Sequence, residues 1–352
     1  MSIRRSIGVI AASICVLALT ACGSSSSSES SSAAAATAAA TAESAAPSEA
    51  ASDGSWSYTS GSGETITLDH KPERIIASAA EAAGLLAYGI KPVGIYLAQD
   101  LAQEPGLANA DLSGIEIVGE EWGKIDAEKV AALEPDLIIA DWWPPQQAYQ
   151  GFEEGVDAAS MKVPELAPVI GASQQGSLEE IVQWYEGFAK SLGKDVDTPE
   201  LTADRDRFLA AKAAFQEAVA AKPGLSALAV GPSEDMLYVA VPEYSTSLTD
   251  FKNWGLDVIE PDAPKADFPY WEFLSWENAD KYQPDLLLLD DRSYESGIET
   301  GEAQPTWNKI AAGKAKSYTP WPGFWVHTYG AYADQLETLT AAVQKADENI
   351  AS

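Results

Sequence analysis

Residues 198–222 read TPELTADRDRFLAAKAAFQEAVAAK, and the fold turns on how this stretch is taken. Thr198 can accept a hydrogen bond as an N-cap, Pro199 suits the first helical turn, and Glu200 favours the positive end of the helix dipole. Leu201, Phe208, Phe215 and Val219 fall on one helical face with alanines between them, and Lys222-Pro223-Gly224 ends the run. A helix of this span is on the order of 35 Å long, about the width of a small domain.

The flanking sequence repeats itself on either side. Upstream, Glu128 is followed by Pro135-Asp136-Leu137-Ile138-Ile139; downstream, Glu277 is followed by Pro284-Asp285-Leu286-Leu287-Leu288 at the same spacing. Each copy reads as a short helix, a Pro-Asp turn and a buried strand. Each also lies in its own run of alternating strand and helix signals. Two similar α/β lobes joined by one long helix are expected.

In this order the pieces resemble the substrate-binding proteins of ABC importers for ferric siderophores, haem and cobalamin. The matching segments are Lys71-Pro72-Glu73-Arg74-Ile75-Ile76, Ala87-Tyr88-Gly89-Ile90-Lys91-Pro92-Val93-Gly94, the two Glu/Pro-Asp segments and the bridging helix, over roughly residues 65–349. The resemblance implies two Rossmann-like lobes on a stiff helical spine, with the ligand held in the cleft between them. It also implies that an acidic residue near the start of the repeated helix in each lobe, Glu128 and Glu277, docks into arginines of a permease. Ordinary charge complementing a helix dipole is the plainer explanation of either residue alone.

Composition narrows the partners. The 352 residues carry 22 Lys and Arg against 53 Asp and Glu, a net charge of −31. Phosphate binding needs basic surface, so nucleic acid is excluded as a partner. Residues 1–22 read as a processing segment: Arg4 and Arg5, an apolar run from Ile7 to Leu19, then Leu19-Thr20-Ala21-Cys22, which matches a bacterial lipobox. Cys15 leaves with that segment, so Cys22 is the one mature cysteine and no internal disulfide forms. Two acyl chains on Cys22 hold the body of a monomeric protein at the outer face of the cell membrane. Residues 23–60, rich in Ser and Ala, have almost nothing to bury and are expected to form a disordered tether. The lobes then span 61–197 and 223–352, with the bridging helix at 198–222.

In the first lobe Arg74–Ala77, Val93–Ile95, Ile115–Val118, Leu137–Ala140 and Val169-Ile170 read as strands, with helices at Glu81–Tyr88, Ala127–Leu133 and Ser177–Leu192. In the second, Ala227–Val230, Leu237–Val241 and Leu286–Leu289 are strands, and Ser247–Trp254 and Ala331–Asn349 are helices. Alternation of this kind implies mostly parallel sheets covered on both faces.

Ligands of open α/β sheets lie beyond the carboxyl ends of the strands. Those ends bring forward Tyr96, Trp122, Trp142, Trp143 and Tyr244, while two loops add Tyr270, Trp271, Trp321 and Trp325. Any one Trp is more often core than site, and Trp184 and Trp254, inside helices, are assigned to packing. Adjacent Trp142 and Trp143 cannot both point into one core, and a Trp in a Pro- and Gly-flanked loop needs something to cover it. Such a lining suits a bulky, partly apolar ligand.

Charge refines the ligand. Beyond the leader the arginines are Arg74, Arg205, Arg207 and Arg292, and of these only Arg292 follows a strand at the cleft end. It stands among Glu120, Glu121, Asp141, Asp290 and Asp291, and an ion pair with Asp290 or Asp291 is as plausible as a ligand contact. A multiply anionic catecholate or citrate complex would need a cluster of basic groups. A neutral or cationic ferric hydroxamate fits better, with the iron inside the ligand and no cofactor of the protein's own. His70 and His327 are the only histidines; His327 is expected near the cleft, and a multi-histidine metal site is ruled out. Haem or cobalamin is the alternative cargo. An exported glycoside hydrolase is the alternative class, since Trp platforms and paired acids also suit sugars; no G-x-S-x-G is present, and two histidines give little for a Ser-His-Asp set.

Overall fold

The long helix forms where its caps and apolar face require it. The structure, a computed structural model, describes residues 54–107, 110–265, 268–323 and 325–351. The basic leader, the lipobox cysteine Cys22 and most of the tether lie outside the described residues. In chain order the first lobe contains strands β1 (Trp56–Thr59), β2 (Thr65–Leu68) and β3 (Ile75–Ser78), helix α1 (Ala79–Ala87), and strands β4 (Gly94–Tyr96) and β5 (Glu116–Gly119). Helix α2 (Ala127–Ala132), strands β6 (Leu137–Ile139), β7 (Trp142–Trp143), β8 (Ala148–Tyr149) and β9 (Val169–Ile170), and helix α3 (Leu178–Ser191) complete it. The bridge is α4 (Pro199–Ala220). The second lobe holds β10 (Ser226–Pro232), β11 (Met236–Ala240), α5 (Thr246–Asn253), β12 (Asp257–Val258), β13 (Trp271–Ser275), β14 (Leu286–Asp290), α6 (Tyr294–Ala303), α7 (Ala311–Ala315), β15 (Tyr318–Trp321) and α8 (Tyr329–Lys345).

The first sheet is parallel throughout, in the order β5-β4-β3-β6-β9. The second is mixed, in the order β13-β11-β10-β14-β15, with β11 antiparallel to both neighbours and β12 beside β10. Expecting mostly parallel sheets thus describes the first lobe better than the second. The repeated Pro-Asp turn has the same mechanical job in each. The Asp136 carboxylate accepts the amides of Glu73 (2.7 Å) and Arg74 (3.0 Å) just ahead of β3. The Asp285 carboxylate accepts the amide (3.0 Å) and hydroxyl (2.8 Å) of Ser226 at the head of β10. Each Asp staples the start of its own strand to the start of the neighbouring one.

Thr198 caps α4 by accepting from the Leu201 amide at 3.2 Å. Phe208, Phe215, Ala218 and Val219 are buried, whereas Leu201 is only half-buried. At 22 residues the helix is about 33 Å long. It packs along α8, with Phe208 against Tyr329 and Tyr332, and Phe215 against Phe251 of α5. Arg205 pairs with Glu186 of α3, Lys212 with Glu179 of α3, and Arg207 with Asp334 and Glu337 of α8. The spine is therefore bound to both lobes by charge as well as by packing.

One apolar cluster runs from Ile75 and Tyr185 through Phe208 and Phe215 to Leu286 and Tyr332, so the inner faces of both sheets share a core across the spine. Separate clusters around Ile138 and around Leu287 fill the outer faces. The start of the body is earlier than expected. Trp56 is buried, its indole donates to Ser191 Oγ at 3.0 Å, and β1 pairs with β2 over the Trp184 and Phe188 rings. Residues 56–60 thus belong to the first lobe, not to the tether; their short aromatic alternation was masked by the surrounding Ser and Gly.

Candidate ligand-binding site

The cleft lies where the carboxyl ends of the first sheet face the aromatic segments of the second lobe, and it encloses about 420 Å³. The first lobe contributes Trp122, from a tight turn after β5, Trp143 from β7, and Gln99, Gln146 and Gln150. The second contributes Phe268, Tyr270, Trp271, Arg292 and Trp325. Trp143 and Tyr270 meet edge-to-face across the gap, ring centroids 5.3 Å apart, and the Tyr270 hydroxyl donates to Gln146 Oε1 at 3.4 Å. The two walls are in direct contact across the gap.

Of the residues expected at the cleft, Trp122, Trp143, Tyr270, Trp271, Arg292 and Trp325 line it together. Four others lie elsewhere. Tyr96 ends β4 inside the core, its hydroxyl donating to the Gln150 carbonyl at 2.8 Å. Trp142 points to the other side of its strand from Trp143 and stacks edge-on against Tyr149 at 4.9 Å. Tyr244 backs Tyr270 at 5.7 Å without lining the cavity. Trp321 is fully buried, because its segment is the edge strand β15 rather than a loop; its indole donates to Ser247 Oγ at 2.8 Å and supports Trp271 from behind.

Arg292 is already engaged. Its guanidinium donates to both carboxylate oxygens of Asp290, and although burial opposes the charge, Asp290 and Asp291 hold its pKa above the usual value. Asp291 accepts from the Trp325 indole (2.7 Å) and the Gly323 amide (3.2 Å), and burial pushes its pKa up to about 6. The expected ion pair with Asp290 is present, and Arg292 also lines the cavity. Glu120 and Glu121 are exposed and take no part in the lining.

Asp141 and His327, both expected at the cleft, sit beneath it in a fully buried network. The Asp141 carboxylate accepts from the Ala172 amide (3.1 Å), the Tyr185 hydroxyl (2.8 Å), the Gln174 amide and His327 Nε2 (2.9 Å). His327 Nδ1 lies 3.0 Å from the Trp325 carbonyl. Glu81, on α1, accepts the Asp141 amide at 3.0 Å while its Oε2 has no partner among the described residues. Burial and the Asp141 charge raise the Glu81 pKa to about 8. Burial opposes a charged His327, but Asp141 and Glu81 outweigh it and hold its pKa above the ordinary value. Gly84 makes room for this contact, since a Cβ there would stand 2.7 Å from the His327 Cβ. Because His327 comes from the second lobe, this network ties the lobes together. A second tie runs from Asp250 of α5 to the Glu179 amide at the start of α3, 3.1 Å. Such polar ties, added to the shared core, favour a preformed cleft.

Sequence reading missed Glu81, Glu104 and Glu153. Glu81 lies inside a helix that reads as ordinary core packing, and Glu104 and Glu153 sit in irregular segments with no periodic signal. Glu128 and Glu277 are exposed, each in the first turn of its helix; the second helix is the 3₁₀ segment Trp276–Lys281.

A family model described as periplasmic binding protein matches residues 117–323. A search of curated proteins by sequence finds no match. Among solved structures, the ferric-siderophore receptor DesE of Streptomyces coelicolor is 30% identical over 83% of this chain and 99% of its own, with a TM-score of 0.75. The catecholate-siderophore binding protein VctP of Vibrio cholerae (17%, 82% and 99%, TM-score 0.56) and FhuD2 of Staphylococcus aureus with bound ferrioxamine B (17%, 79% and 100%, TM-score 0.52) share the fold. The chain belongs to the periplasmic binding protein family, in the form built from two α/β lobes on one long bridging helix.

Proposed function

We propose that this chain captures a ferric siderophore of neutral or cationic hydroxamate type in the cleft between its lobes and delivers it to an ABC permease for iron uptake. The observation that carries the reading is a preformed, aromatic-walled cavity of about 420 Å³ whose single arginine is already paired with Asp290. Aromatic faces give contact area to an apolar ligand backbone, while the Arg292 guanidinium, positioned by Asp290, faces the hydroxamate oxygens. Iron enters as part of the ligand, and the protein needs no cofactor. The 30% identity to a ferric-siderophore receptor supports this cargo. The burial of His327 beneath the floor takes it out of reach as an axial haem ligand. Membership of a family of binding proteins supports binding rather than turnover.

Glu128 and Glu277 dock the two lobes on the permease, which their exposure in matched first turns permits. Cys22 carries the lipid that keeps the monomer at the outer face of the cell membrane. No helix among the described residues is long and apolar enough to cross a membrane. Titrating the purified protein with a ferric hydroxamate while following tryptophan fluorescence tests the reading. Saturable quenching at micromolar ligand or below is expected. No quenching by hydroxamates, with quenching by ferric catecholates instead, would overturn the assignment.

A further inference from the structure

The cleft carries its charge unevenly. On the second-lobe wall Arg292 is matched by Asp290, with Glu104 across the cavity also feeling its charge. On the first-lobe wall Glu153 has no cationic partner among the described residues. The residue is about nine-tenths buried; Oε1 accepts the Trp122 indole N–H at 3.0 Å, and Oε2 is buried with no hydrogen-bond partner among the described residues. Trp122 itself is half exposed at the tip of the Glu121–Lys124 turn, and both residues line the cavity. A desolvated carboxylate with one oxygen unmatched is costly to maintain unless a donor arrives. An aromatic face beside a carboxylate is the pair of groups that recognises a protonated amine, through cation–π attraction and a charge-assisted hydrogen bond.

We propose that Glu153 and the Trp122 indole over it form a subsite for a protonated amine at one end of the cleft's ligand. The inference rests on the ferric hydroxamate reading and narrows it from neutral or cationic to cationic. Arg292 then faces the hydroxamate oxygens from one wall while Glu153 takes the ammonium from the other. The ligand is oriented by two opposite charges on opposite lobes.

The test uses two probes with the same ferric centre: ferrioxamine B, which ends in a free amine, and its N-acetyl derivative, which does not. Both are titrated against the wild-type protein and against Glu153→Gln and Glu104→Gln. Gln keeps the acceptor for Trp122 while removing the charge, and a melting curve checks that each variant folds. Wild type is expected to bind the free amine roughly tenfold or more tightly than the acetylated form, a difference of about 1.4 kcal/mol. Glu153→Gln is expected to erase that ratio while leaving affinity for the acetylated probe unchanged, and Glu104→Gln to preserve it. Equal wild-type affinity for the two probes, a ratio that survives Glu153→Gln, or one lost only in Glu104→Gln would overturn the subsite while leaving the hydroxamate reading intact. If neither probe binds the wild type, the hydroxamate reading falls and the subsite with it.

Discussion

Replacing Asp141 tests how firmly the two lobes are joined beneath the cleft. Its carboxylate receives four donors, from Ala172, Gln174, Tyr185 and His327, and none of the five residues is exposed to an extent that lets water substitute. Asp141→Ala strands all four donors. Each buried unsatisfied group costs about 1–3 kcal/mol, and breaking a buried charged pair costs about 3–5 kcal/mol in all once neighbours relax. In a folded body of this size each kcal/mol moves the melting point by about 2 °C, so Asp141→Ala is expected to melt about 6–10 °C lower. Asp141→Asn should cost much less. Its oxygen still accepts from Ala172 and Tyr185. Its amide can donate to the Gln174 oxygen, which has no partner among the described residues, once that side chain flips. His327 protonated on Nδ1 would accept on Nε2. The expected loss is about 1–2 kcal/mol, or about 2–4 °C. Thermal melts followed by circular dichroism, with urea titrations as a second measure, distinguish the cases. An Asp141→Ala protein melting within 2 °C of wild type, or Asp141→Asn proving the worse of the two, would refute the idea that this network fastens the lobes.

Other outcomes follow from the same geometry. Glu81 (pKa about 8) and His327 (raised) hold protons in the folded state that the unfolded chain releases, at about 4.5 and 6.5 respectively. Their stabilisation is complete below those unfolded values and is lost as pH rises through the folded ones, so stability should fall between about pH 5 and 8. Glu81→Gln should flatten that decline in urea titrations, whereas an unchanged slope would assign it to other groups. Trp143→Ala or Trp271→Ala should weaken ligand binding about 10- to 100-fold in fluorescence titrations, as expected for aromatic anchors at the centre of a contact, whereas Trp142→Ala should have a far smaller effect. Changing Glu128 and Glu277 together to Ala should leave binding intact and abolish iron uptake by cells; loss of binding in vitro would place them in the wrong role.

Much of the architecture was legible because it rests on local rules. The caps and apolar face of α4 and the paired Pro-Asp turns are sequence-local features, and the carboxylates of Asp136 and Asp285 turn out to fasten strands in the same way. The site was legible only in part. Rules about strand ends brought out Trp122 and Trp143, but they could not tell which face of a two-residue strand points to the cavity, so Trp142 was included. Trp321 looked like a loop residue because Pro320 and Pro322 flank it, yet an edge strand tolerates proline and buries the indole. The Glu81–Asp141–His327 network joins residues as far as 246 positions apart (81 to 327), and Glu153 gains its importance from an unmatched oxygen. Neither property exists in a sequence; both arise from burial.

The most direct measurement is the visible absorption spectrum of the protein purified from iron-starved cells. A ligand-to-metal charge-transfer band of ferric hydroxamate type, lost together with bound iron on reduction, is the predicted result. The band of a ferric catecholate, or the spectrum of a haem or a corrinoid, would contradict it.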